Sequence, residues 1–255
     1  MGNKHRDEFW QFGGWVRKYV FGINTVEEIL KNSTRRIHRL IVENTSGSRL
    51  MHLIKLANKK KIGVQFTHKR LMDKLTNQAN HQNIILEVDD VNYYSLDEAI
   101  NMDKSKKDII WLCLDSITDP QNFGSIIRTS VCMGVSVIIF CENRSVRVTP
   151  SVEKIASGAV EKIKFVKVIN INQSLIYLKE NNFWIYGSDV KGIDVRDIRF
   201  NFPLVLVMGS EGEGIHQKTK EHCDELIKIP QIADFDSLNV SIATALCLYE
   251  IRRRI

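Results

Sequence analysis

The sequence predicts an α/β protein: a largely parallel sheet in the C-terminal part, preceded by a smaller α/β domain. Three observations carry this. Apolar strand-like runs recur from residue 109 onward: IIWLCLD (109–115), VSVIIF (135–140), KIKFVKV (162–168), FWIYGSD (183–189) and LVLVMGSE (204–211). Several are continuous rather than alternating, the pattern of strands covered on both faces. Helix-like segments lie between them, at about 124–133, 150–158, 172–182 and 215–222, and a last helix runs from about 240 to 253.

The N-terminal elements follow the same logic on a smaller scale. NTVEEILKN reads as a helix, with Asn24 or Thr25 as its cap and Glu27 or Glu28 in the first turn. RRIHRLIVEN (35–44) reads as a strand, and SRLMHLIKLANKKK (48–61) as a helix, because Leu50, Leu53, Ile54 and Ala57 have helical spacing. GVQFT (63–67) and NIILEV (83–88) read as strands. The expected division is a basic tail at 1–18, a small α/β domain at 19–91, a polar linker with a short helix at 92–108, and a larger domain at 109–255.

Charge is divided unevenly. Residues 1–80 hold sixteen Lys or Arg against six Asp or Glu, a net +10, while the remainder carries −4. A basic first third suits a polyanion such as nucleic acid, or is simply a solvated face. The tail's Phe9, Trp10, Phe12 and Trp15 would stack on RNA or pack on the domain.

Composition excludes several classes. No apolar run approaches the length needed to span a bilayer, and the first residues lack the apolar core of a secretory signal. Gly2 is not followed by the Ser or Thr of a myristoylation signal, since position 6 is Arg6. The five cysteines are odd in number and widely spaced, and three lie in apolar runs (Cys113, Cys141, Cys247). Buried free thiols in a reducing cytoplasm are expected, with no zinc or other metal site.

Three polar clusters fall at strand ends, where open α/β sheets bind ligands. In DSITDPQNFGSIIRTS (115–130), Asn122 begins a helix, Gly124 permits a close backbone approach, and Arg128 follows just under two turns later. The simpler reading makes Asn122 a cap and Arg128 a solvent residue. VLVMGSEGEGI (205–215) has neither GxGxxG nor GK[ST]. Its Glu211 and Glu213 disfavour a pyrophosphate and suit ribose hydroxyls or a cation. The simpler reading is a Gly-rich turn. In the third, a strand stops at Pro230 and Ser237, Asn239 and Ser241 open the last helix. One of them is a cap, which leaves the group unexplained. No nucleophile–base pair emerges, and His216 and His222 read as surface helix residues.

NFGSIIR, VMGSEGEGI and IPQIADFDSLNVSIATALCLYE resemble, in order and spacing, the three signature motifs of the SpoU/TrmH family of RNA ribose 2′-O-methyltransferases. The resemblance covers 109–255, and 19–91 resembles the ribosomal-protein-like substrate-binding domain of two-domain members. LDSITDPQNFG is most similar to members that methylate a guanosine of 23S rRNA. The resemblance implies a deep trefoil knot, which no periodicity would suggest, and a homodimer with its active site near the interface. It implies S-adenosyl-L-methionine as cofactor, contacted through the main chain at Gly209, Ile229 and Leu238. It also implies a catalytic set of Asn122, Arg128, Glu211, Ser237 and Asn239. Arginine is a reluctant base, with a pKa above about 12, so Arg128 is expected to anchor the RNA phosphate and the developing oxyanion.

Overall fold

A computed structural model describes residues 17–44, 47–143, 145–232 and 237–255. The tail aromatics lie outside these. Arg17 and Lys18, assigned to the tail from the sequence, already belong to the first strand.

The N-terminal unit is a four-stranded sheet of order β1-β4-β2-β3. Its strands are β1 (Arg17–Phe21), β2 (Ile37–Glu43), β3 (Gly63–Thr67) and β4 (Ile84–Asp89). β4 is antiparallel to both β1 and β2, while β2 and β3 are parallel. Helices α1 (Ile23–Asn32) and α2 (Ser48–Lys59) cover one face through a core that includes Ile29, Leu40, Leu53 and Leu86. On α2, the residues buried are Leu50, Leu53, Ile54 and Ala57, the stripe expected from spacing. A further helix, α3 (Lys69–Leu75), seats Met72 against part of the other face.

Neither expected cap of α1 serves as one. The chain enters α1 through Gly22 at φ 97°, two residues before the earlier of the predicted caps, with no side-chain cap. The Thr25 hydroxyl instead donates to the Glu153 carbonyl at 3.3 Å, and Asn24 Oδ1 accepts from Arg49 at 2.5 Å. Tertiary partners have claimed both groups.

The larger sheet has seven strands in the order β11-β9-β10-β6-β7-β8-β5, and every pairing is parallel. They are β5 (Tyr93–Tyr94), β6 (Ile110–Leu114), β7 (Val137–Cys141), β8 (Lys164–Val168), β9 (Trp184–Asp194), β10 (Leu204–Met208) and β11 (Glu225–Lys228). Successive residues feed two cores, which is why the runs are continuous in the sequence. Leu112, Leu206 and Phe140 face α5 (Pro120–Cys132), α6 (Pro150–Ala156) and the C-terminal helix α9 (Val240–Arg253). Cys113, Val207 and Ile139 face α4 (Leu96–Asp103) and α7 (Ile171–Glu180). A short α8 (Gln217–Lys220) completes the set. Among the described residues, no helix is long and apolar enough to cross a membrane.

The segment 92–108 is not a free linker. β5 extends the sheet beside β8, Ala99 of α4 is fully buried, and Asp103 accepts from Trp111 Nε1 at 2.9 Å and from Lys164 at 3.0 Å. The short helix is present; most of its polar residues face solvent, and Asp103 is the buried exception that ties it to the sheet.

The two units are joined through α6 and the 3₁₀ turn Ala159–Lys162. Arg35 reaches Glu153 at 2.8 Å, with side chains 4% and 0% exposed, and also pairs with Glu161. Removing one partner of so enclosed a pair costs about 3–5 kcal/mol, so the joint holds the N-terminal unit in place.

Candidate active site

The three polar clusters converge at the C-terminal ends of β6, β10 and β11. Asp119 caps α5, accepting from the Gln121 and Asn122 amides. Asn122 is therefore not the cap, and its side chain is free to face outward from the first turn. Asn122 Nδ2 donates to Glu211 Oε2 at 3.1 Å. Asn239 Nδ2 donates to Asn122 Oδ1 at 2.9 Å and to Glu211 Oε1 at 3.3 Å. Three residues from separate motifs thus form one hydrogen-bonded triangle.

Asn239 is also the cap of α9. Its Oδ1 accepts from Ser241 N at 3.0 Å and from Ser241 Oγ at 2.6 Å. This gives a role to Ser241, one of the three polar residues at the start of the last helix: it supports the cap.

The Glu211 loop is tight. Ser210 and Gly214 exchange backbone hydrogen bonds of 3.1 and 3.0 Å across it. A Cβ on Gly209 would lie 1.9 Å from the Gly214 carbonyl carbon, so only glycine fits the base of the loop. His216 is not a free surface residue. Its backbone N, at 3.1 Å, and its Nδ1, at 2.9 Å, both meet Asp115 Oδ2, tying the end of the loop to the end of β6. Asp115, the last residue of an apolar run, was the available signal for this pair. Gly124 makes its close approach to α6, where an added Cβ would meet Ile155 at 2.6 Å.

Beside the triangle lies a cleft of about 810 Å³, within the range of small-molecule sites. Gly209, Ile229 and Leu238 line it together, as do Glu211 and Ser237. On its β9 side, burial alone would raise the Asp189 carboxyl, but hydrogen bonds from Lys220 and the Lys191 amide hold it below the ordinary carboxylate range. Asp189, Lys220 and Gln231 are lining residues that the sequence did not single out; no local motif marks them, since they come from a long strand, a short helix and a loop.

Arg128 is not in this cleft. Six residues place it about 9 Å along α5 and about 120° around it from Asn122. It is exposed and lines a second cleft of 390 Å³ between α1 and the end of α5. Among the described residues, no three His, Cys, Asp or Glu side chains gather as a metal site, and all five cysteines are free.

A family profile described as the SpoU rRNA methylase family matches residues 109–249, and one described as RNA 2′-O ribose methyltransferase substrate binding matches 19–94. The 23S rRNA (guanosine-2′-O-)-methyltransferase RlmB of Blochmanniella floridana is 39% identical over 243 residues, spanning 94% of this chain and 96% of its own. RlmB of Haemophilus influenzae is 35% identical over 245 residues, spanning 94% and 98%. Among solved structures, the SpoU methyltransferase AviRb from Streptomyces viridochromogenes, in complex with AdoMet, has a TM-score of 0.79 at 20% identity, covering 93% of this chain and 90% of that one. With its methylase region and its N-terminal domain both matched, this chain belongs to the SpoU rRNA methylase family.

Proposed function

We propose that this protein transfers a methyl group from S-adenosyl-L-methionine to a ribose 2′-OH of RNA, at a guanosine of 23S rRNA. The observation that carries the reading is the Asn122–Glu211–Asn239 triangle at the edge of a cleft lined by Gly209, Ile229 and Leu238. RlmB relatives across nearly the whole chain support the guanosine and the 23S rRNA.

The cleft's chemistry fits the cofactor. Its carboxylates suit ribose hydroxyls and a sulfonium, and its volume accommodates a nucleoside with an amino-acid tail. When bound, S-adenosylmethionine supplies an electrophilic methyl on a cationic sulfur. Gly209, Ile229 and Leu238 would hold the adenosyl part through their main chains. Asn122, Glu211 and Asn239 orient the acceptor ribose, with Ser237 beside them, since displacement in line requires positioning rather than a covalent enzyme intermediate. Arg128, in the neighbouring cleft, anchors an RNA phosphate of the same strand, and the 2′-OH proton leaves through a phosphate or water.

The family reading adds the rest. The stretch between β10 and α9, with its jammed Gly209, is where the trefoil knot would lie. The four-stranded N-terminal unit corresponds to the ribosomal-protein-like RNA-binding domain. Ile242, Leu246 and Tyr249 on α9 are exposed and share one face, which suits a homodimer. The protein would act in the cytoplasm. A tRNA enzyme of the same family is the second reading, and the N-terminal domain argues against the compact tRNA members, which lack one. A non-catalytic RNA-binding role is opposed by the intact site set.

Mapping ribose methylation in total RNA with and without the protein tests the proposal. One 23S rRNA guanosine should carry its ribose methyl only where the protein is present; a change confined to tRNA would favour the second reading.

A further inference from the structure

We infer that the second cleft, between α1 and α5, is the channel that holds the RNA strand beside the reacting ribose, with Lys31 and Lys162 as phosphate contacts flanking Arg128. This rests on the reading of the protein as an RNA methyltransferase. The two walls come from the two units: Asn24 and Lys31 from α1, and Arg128 and Cys132 from α5, with Lys162 at the end of the 3₁₀ turn.

Arg128 has no ion-pair partner among the described residues. The two lysines each have one carboxylate partner but stay open to solvent. Lys31 Nζ lies 2.6 Å from Glu27 and Lys162 Nζ lies 3.2 Å from Glu28, and their side chains remain 46% and 51% exposed. An ammonium has three N–H groups, so each lysine keeps donors for a ligand. Cations outnumber carboxylates around the opening, and the unpaired one sits on the helix that carries Asn122. A strand whose ribose sits at Asn122 and Glu211 would run a neighbouring phosphate toward Arg128, about 9 Å along α5.

The cleft is preformed. A Cβ on Gly158 would lie 2.4 Å from Glu28 Cβ, so the turn and α1 touch closely. The Arg35–Glu153 pair and the Thr25–Glu153 bond fix the same joint. At 390 Å³ it is too small for an RNA duplex and suits a single strand, the form in which base-specific RNA recognition mostly occurs.

Cys132 reports on this cleft. It is exposed, whereas Cys113, Cys141 and Cys247 are buried, and burial pushes the half-buried Cys223 thiol up to about 12. N-ethylmaleimide should therefore alkylate Cys132 first, read by mass spectrometry. Transcribed 23S rRNA should slow that alkylation about tenfold, and S-adenosylmethionine alone should not. The Lys31→Ala, Lys162→Ala double variant should weaken RNA binding about tenfold and lower the salt slope of the affinity by about two, with cofactor affinity unchanged. RNA bound and methylated with Cys132 reacting at its free rate, or the double variant keeping wild-type affinity and slope, would overturn the channel while leaving the enzymatic reading in place. Protection of Cys132 by RNA that is never methylated would support the channel and sink the enzymatic reading.

Discussion

Asn239 donates its side-chain amide to Asn122 Oδ1 at 2.9 Å while its own Oδ1 caps α9 through Ser241. One side chain thus fixes the start of the last helix and the orientation of the site. The two tasks use different atoms, so substitution can separate them. Asn239→Asp keeps a cap acceptor but sets a second carboxylate against Glu211 in place of a donor. Methyl transfer should fall about a hundredfold, the scale of a misaligned reacting group, with little change in thermal midpoint. Asn239→Ala should lose the cap as well, at about 1 kcal/mol. Single-turnover methylation and thermal denaturation read the two effects; equal activity in Asn239→Asp and wild type would remove Asn239 from the site.

Arg128 stands in a different cleft from the one lined by Gly209, Ile229 and Leu238. Binding and chemistry should therefore separate at this residue. Arg128→Ala is expected to abolish methyl transfer while calorimetry finds S-adenosylmethionine bound as in wild type. Retained turnover would sink the proposed role, and lost cofactor binding would mean that Arg128 supports the other cleft after all.

What could be read in advance follows from which forces act locally. The strands of the large sheet were legible because burial on both faces leaves continuous apolar runs, as at Leu112 and Cys113. The last helix, α9, begins at Val240 and ends at Arg253, as its pattern indicates. Caps were less legible. Asn24, Thr25 and Asn122 all have the chemistry of a cap, but Gly22 and Asp119 precede the helices instead, and the rejected side chains serve distant partners. The same competition hid the role of His216, whose partner Asp115 lies a hundred residues away in the chain. The candidate site was legible as three strand-end clusters, and helix spacing already sets Arg128 about 120° around α5 from Asn122; the second cleft that Arg128 lines was not legible, because α1 of the N-terminal unit forms its other wall.

Asp103 ties the segment 92–108 to the sheet. Burial would raise its carboxyl, but hydrogen bonds from Lys106, Ser136, Lys164 and Trp111 outweigh it and hold the group at about 2. A carboxylate lowered by folding stabilises the native state above its unfolded value near ~3.9, and that contribution is lost as pH falls from there toward about 2. Asp103→Asn should cost about 1–3 kcal/mol at pH 7 by leaving Lys164 and Lys106 without their charged partner. The variant should also show a flatter loss of stability on acidification through the same window. Thermal denaturation across that range measures both; parallel curves for variant and wild type would show that Asp103 is not what anchors this segment.

Ile242, Leu246 and Tyr249 are 53%, 43% and 57% exposed on the face of α9 opposite the buried Cys247, Leu248 and Ile251. Spacings of four and three put them in one stripe, the pattern of a helix that buries a second face on association. In a two-fold dimer the same stripe meets itself, so one substitution acts twice. Leu246→Glu should leave the fold intact, because the side chain is outside the core, and should shift the protein from dimer to monomer in sedimentation or light scattering. Activity should fall with it if the site lies near the interface, while the thermal midpoint becomes independent of protein concentration. A wild-type chain that sediments as a monomer at all concentrations would end the dimer reading; a Leu246→Glu variant that stays dimeric would move the interface off α9.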